Sequence, residues 1–240
     1  MARAPSRIDT ARPHIPDQVT SLDDVRHYSH VHRISGLADG VFSIAMTLLV
    51  LELVVPGHGS DAELLAKLDD LYPKFLVYAM SFVILGAYWV GHAIQFHYVI
   101  RADRPLMVRT VMFLMLVSLV PFSTAFLGDN PTSRVTIGFY ALNLALCGML
   151  MHGMLLYATK DPLMLNDVFD KRIFRGVRIA YVLGPALYVV AFLVALVSPL
   201  AGFVICIAVP LLTFFPNPFW GKIYSRFTRR GLPDDPADKP

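Results

Sequence analysis

Between Arg33 and Pro56 the chain reads RISGLADGVFSIAMTLLVLELVVP, an apolar run with Arg33, Asp39 and Glu52 set into it. A bilayer core of ~30 Å needs about 20 apolar residues in one helix, and this stretch is long enough to supply them. A charged group at membrane depth is costly, so it turns toward a bundle interior, a partner or a water-filled path. Small and hydroxyl residues, Gly36, Gly40, Ser43 and Thr47, recur along the run. At 100° per residue Gly40, Ile44, Thr47 and Leu51 fall within an arc of about 60°. Such a stripe has two readings. It is a packing seam, because small residues let membrane helices approach closely, or it lines a pore, where apolar rings gate by dewetting and hydroxyls touch a passing ion.

The rest of the chain repeats the membrane pattern. Of its 240 residues 55% are hydrophobic and 16% charged, against about 25% charged in an ordinary soluble domain. Six segments are long and apolar enough to span a bilayer: 34–55, 73–99, 106–127, 134–158, 173–197 and 200–219. The expected fold is all-α, a polytopic membrane protein of six transmembrane helices. Ser198 and Pro199 break the last two into a tight hairpin, since proline cannot continue a helix interior. Eighteen of the 21 Lys and Arg fall on one side of these spans, and only Lys67, Lys74 and Arg134 fall on the other. The positive-inside rule then makes both termini cytoplasmic, which an even number of spans requires. The expected division is a cytoplasmic tail at 1–32, a transmembrane domain at 33–220 and a second cytoplasmic tail at 221–240. The polar start, with no early apolar core, argues against a cleaved signal peptide, so none is expected. The acidic loop GHGSDAELLAKLDDL, on the outer side, has the pattern of a short amphipathic helix; it reads as a solvated loop that avoids positive charge outside, or as an acidic mouth that draws cations.

Arg33 and Asp39 are six residues apart and lie on different faces, so they do not pair simply along one helix. The second span offers partners in YWVGH: Trp89 is an indole N–H donor, and His92 donates or accepts. A network of Arg33, Asp39, Trp89 and His92 would fasten the first span to the second. Glu52 reads as a solvated carboxylate at the outer interface. Cys147 and Cys206 lie in apolar runs and read as buried hydrophobes. His27, His30 and His32 read as solvated juxtamembrane groups. His92 and His97 diverge on a helix and make no zinc pair. Pro121 is expected to kink the third span, with Ser123 and Thr124 satisfying freed carbonyls. Arg172, Arg175 and Arg178 suit anionic lipid head groups as well as topology. No phosphate loop, dinucleotide fingerprint, nucleophile elbow or zinc-protease motif is present, so no enzyme, cofactor, metal site or nucleic-acid partner is expected.

Arg33 followed by Leu37, Ala38 and Asp39, then GVFSIAMTLLVLEL, resembles the first helix of the lysosomal and prokaryotic potassium-channel family defined by an RxxxFSD motif. The W-x-x-H of SFVILGAYWVGHAIQF and the P-F-x-T of MFLMLVSLVPFSTAFLGD extend the resemblance over roughly residues 30–130. Leu37 and Ala38 stand where the family has Phe and Ser. The resemblance implies a homotetramer of six-helix chains in a prokaryotic inner membrane, with the first helix around a central pore. It places the apolar constriction at Ile44, with Thr47 and Leu51 as the next pore-facing positions. The implied activity is passive, potassium-preferring cation permeation, with protons leaking by the same path. Without a TVGYG-like carbonyl filter, selectivity falls to a narrow apolar ring and threonine hydroxyls. Two other readings stand beside it: a proton-coupled small-solute transporter using Asp39 and His92 as a relay, and a structural membrane protein whose stripe is only a seam.

Overall fold

A computed structural model describes residues 22–53, 57–165 and 171–214, with side chains placed at 30–53, 57–161, 163–165 and 181–210. The C-terminal tail, most of the N-terminal tail, residues 215–219 of the sixth expected span, and the side chains of His27, Arg172, Arg175 and Arg178 lie outside these limits. Within them the protein is helical, and its only extended pairing is an isolated antiparallel bridge between Val99 and Leu165. The helices are α1 (Leu22–Leu48), α2 (Asp61–Asp70), α3 (Tyr72–Tyr98), α4 (Arg104–Ser118), α5 (Val120–Asp129), α6 (Arg134–Ala158), α7 (Lys171–Val197) and α8 (Pro199–Phe214). A 3₁₀ turn over Leu49–Glu52 continues α1, and another covers Pro162–Met164.

Each boundary has a local cause. α1 already covers Leu22, well before the apolar run, because DDVRHYSHVHR is polar but holds no proline or glycine to stop a helix. Hydropathy marks where the bilayer begins, not where the helix does. α2 is the amphipathic helix of the outer loop. The Ser60 backbone N–H donates to Glu63 Oε2 at 2.8 Å, half of a capping box, and this bond holds the Glu63 carboxyl below its ordinary value. Asp103 caps α4, accepting from the Leu106 N–H at 2.9 Å. The third expected span divides at Leu119 into α4 and α5, two residues before Pro121. Proline cannot donate back to the preceding turn, and the Leu119 N–H turns to Leu116 and Val117 instead. The Ser123 hydroxyl donates to the Val120 carbonyl at 2.9 Å, and the Thr124 hydroxyl oxygen lies 2.8 Å from the same carbonyl. α7 and α8 fold against each other across Ser198. Their approach is close: a Cβ on Gly202 would stand 2.7 Å from that of Ala195.

Four helices of the described residues are long and apolar enough to cross a membrane: His30–Glu52, Tyr72–Tyr98, Arg104–Asp129 and Arg134–Ala158. Shorter apolar helices cover Tyr181–Val197 and Pro199–Pro210. α6 is the centre of the bundle, packed by α4, α5, α7 and α8. A Cβ at Gly148 would meet the Pro185 ring at 2.3 Å, so only glycine admits that ring against α6. Inside the bundle, polar side chains bond from helix to helix. Thr124 donates to Ser81 Oγ, which pairs with the Tyr140 hydroxyl, both at 2.9 Å. Asn143 Nδ2 donates to Ser123 Oγ at 3.3 Å, and the Tyr88 hydroxyl donates to the Leu144 carbonyl at 2.7 Å. In a membrane such bonds contribute about 0.6 kcal/mol each, so they fix register more than they supply stability.

Candidate functional site

α1 stands at the edge of this bundle, and its two faces differ. Val31, Ile34, Ala38, Phe42, Ala45 and Leu49 are buried, and α1 packs on α3 and α4. Phe42 anchors it, with its ring centroid 5.9 Å from that of Phe113 and 6.4 Å from the His92 ring. The mean direction of the buried set lies about 150° round the helix from that of Gly40, Ile44, Thr47 and Leu51. That second stripe is largely exposed. Ile44 is 61% exposed and Leu51 69%, Gly40 and Thr47 are exposed, and a Cβ built on Gly36 or Gly40 meets no atom within 4 Å. The glycines therefore do not serve packing within the chain. Across the window from His30 to Glu52 only 28% of the span is buried, against 56% for α6.

The chemistry of the stripe is plain. Ile44 and Leu51 present bulk without polarity. Between them the Thr47 hydroxyl donates its proton back to the carbonyl of Ser43 (3.0 Å) or Ile44 (2.9 Å). With its proton so committed, the oxygen offers lone pairs outward, an arrangement suited to a cation. The pentapeptide Thr136–Tyr140, TIGFY, superficially like a carbonyl filter, lies inside α6. Its carbonyls belong to a helix ladder and are not free to coordinate.

Of the four fastening residues, the structure joins two directly. The Trp89 indole N–H donates to Asp39 Oδ1 at 2.9 Å, tying α1 to α3 at the surface of the chain. His92, one turn further along α3, is 1% exposed and stacks between Phe96 and Phe113, at centroid distances of 4.3 and 5.9 Å. Among the described residues no hydrogen bond joins it to Asp39, and its Nε2 has no partner. Arg33 is exposed and has no hydrogen-bond or ion-pair partner among the described residues. Leu37 is half exposed and Ala38 fully buried, so at the two positions where the stretch departs from the motif it resembles, one side chain faces outward and the other fills the α1 packing face. Gln95, missed by the sequence reading, is buried on α3 with both amide atoms unpaired among the described residues. No group of three or more metal-ligating side chains occurs among the described residues.

A buried, unpaired amide costs about 1–3 kcal/mol in lost hydration. Replacing Gln95 by methionine, of similar volume, is expected to raise the melting temperature of the purified protein by roughly 2–4 °C per kcal/mol recovered. A lower melting temperature in that variant would mean that the amide is bonded in the assembled protein.

Fold and site together define a class: an all-helical membrane protein with four helices long and apolar enough to cross a bilayer, whose N-terminal helix carries an exposed stripe. The comparisons with known proteins narrow this. The model of the family described as endosomal/lysosomal potassium channel TMEM175 matches residues 33–121. A protein named as a potassium channel from Streptomyces collinus is 32% identical over 170 residues, which is 69% of this chain and 82% of that one. Another so named, from Chamaesiphon minutus, is 34% identical over 175 residues, covering 71% and 86% of the two chains. The crystal structure of a lysosomal potassium-selective channel TMEM175 homologue from Chamaesiphon minutus superposes with a TM-score of 0.69 at 31% identity, over 77% of this chain and 96% of that one. The chain belongs to the TMEM175 family of ion channels.

Proposed function

We propose that the chain is a potassium-preferring cation channel of a prokaryotic inner membrane, working as a homotetramer with α1 around a central pore. The observation that carries this reading is the stripe of Gly40, Ile44, Thr47 and Leu51, which faces away from the chain's own bundle. A lone α1 with that face in lipid would gain nothing from Thr47 or from the glycines. Around an axis, four copies stack an apolar ring at Ile44, a hydroxyl ring at Thr47 and a second apolar ring at Leu51. Potassium sheds water more cheaply than sodium, so a dry, narrow ring favours potassium without a carbonyl cage. Flow is passive, and protons follow the same path.

The six-span topology with both termini in the cytoplasm accompanies this reading. It draws support from the four long spans, the apolar α7–α8 hairpin and the one-sided Lys and Arg. The transporter alternative has less behind it, since a relay through Asp39 and His92 needs a hydrogen-bonded connection and the buried imidazole is surrounded by rings. Purified protein in potassium-loaded liposomes should release potassium faster than sodium, with rates that rise linearly with concentration; saturating flux would favour a carrier. Chemical cross-linking should give a ladder ending at four chains, and a ladder ending at two would contradict the tetramer.

A further inference from the structure

Resting on the pore reading of α1, we propose that Arg33 forms a ring of fixed positive charge at the cytoplasmic entrance, and that this ring makes the current rectify inwardly at low salt. Three observations meet at this residue. Its guanidinium is exposed and has no partner among the described residues. It sits in a membrane-spanning helix, where an unpaired charge facing lipid is costly and one facing water is cheap. At 100° per residue its direction lies within about 20° of those of Gly40 and Ile44, so it continues the same stripe.

Arg33 lies eleven residues before Ile44, about 16 Å along the helix toward the cytoplasmic end. It is therefore at the mouth and not in the constriction. The nearest carboxylate on α1, Asp39, points about 120° away and is held by Trp89, so it does not neutralise the ring. Four guanidinium groups around the entrance lower the local concentration of cations arriving from the cytoplasm. Cations arriving from outside reach the Ile44 ring before they meet this field. Outward current is thus reduced more than inward current. The screening length is ~30 Å at 0.01 M salt and ~3 Å at 1 M, so the asymmetry is large in dilute solution and vanishes in concentrated solution.

The test uses full-length protein in excised patches, with potassium as the only permeant cation. The wild type should rectify inwardly at about 0.02 M potassium and lose the asymmetry near 1 M. Arg33→Gln should raise the ratio of outward to inward current roughly two- to fivefold in the dilute solution and leave it unchanged in the concentrated one. Arg33→Lys should behave as the wild type. In case the glutamine variant fails to assemble, Arg33→Cys can be modified after assembly, because Cys147 and Cys206 are buried. A negatively charged thiol reagent should then increase outward current, and a positively charged one should restore the rectification. Currents whose ratio ignores the charge at position 33 at both salts would overturn this inference alone, as they would if Arg33 instead reached lipid phosphates. A wild-type protein that carries no current in either direction would overturn the pore reading and this inference with it.

Discussion

Replacing Ile44 by asparagine raises unitary conductance roughly tenfold and brings the permeabilities of potassium and sodium together, if about 1.4 kcal/mol of the barrier to passage is dehydration at that ring. The reason is local. Ile44 has a large exposed side chain on α1, with the open face of Gly40 on one side and the Thr47 hydroxyl on the other. A ring of branched aliphatic groups expels water and forces a cation to strip its shell. An amide of nearly the same size keeps the ring wet, so the ion passes hydrated and its identity matters less. Since Ile44 is 61% exposed and outside the buried core, the substitution leaves the subunit fold intact. Expression and melting temperature of the variant should match the wild type, which separates a change in permeation from a change in folding. Unaltered conductance and selectivity would remove Ile44 from the constriction.

The second large effect is expected at Asp39. Its carboxylate accepts the Trp89 indole N–H at 2.9 Å, and a hydrogen bond to a charged group contributes about 1.5–3 kcal/mol. This is the polar tie between α1 and α3, beside the apolar contact that Phe42 makes with Phe113. Asp39→Ala leaves the indole without an acceptor and weakens the seating of α1. In the proposed tetramer four loosened helices around one axis compound the loss, so the assembled fraction on size exclusion should fall several-fold, with current falling in proportion. Trp89→Phe should do much the same. The double variant should be little worse than either single one, with a coupling of about 1–2 kcal/mol between the two sites. Fully additive effects would mean that the two residues act separately.

How much of this was legible from the chain differs from residue to residue. The open face of α1 was visible because helical spacing is a strong periodic signal, and Gly40, Ile44, Thr47 and Leu51 are chemically distinct. The pairing of Asp39 with Trp89 was legible because a carboxylate at membrane depth has few partners to choose from. Helix ends were read less well. Hydropathy could not reveal that α1 runs back to Leu22, since a polar helix and a polar tail have the same composition. The break at Leu119 was foreshadowed by Pro121, but its place two residues earlier depends on where the freed amide finds a carbonyl. Gln95 escaped notice because nothing in one chain's spacing tells a buried amide from a lipid-facing one. Arg33 was expected in one network with Asp39, Trp89 and His92, on a different face of the helix from Asp39; in the structure it is exposed and has no partner among the described residues.

The most direct test of the central claim is a planar bilayer holding the purified protein between unequal potassium and sodium solutions. The account predicts unitary currents that reverse well toward the potassium equilibrium potential. Silence at every voltage and pH, or a steady saturable flux without unitary steps, would contradict it.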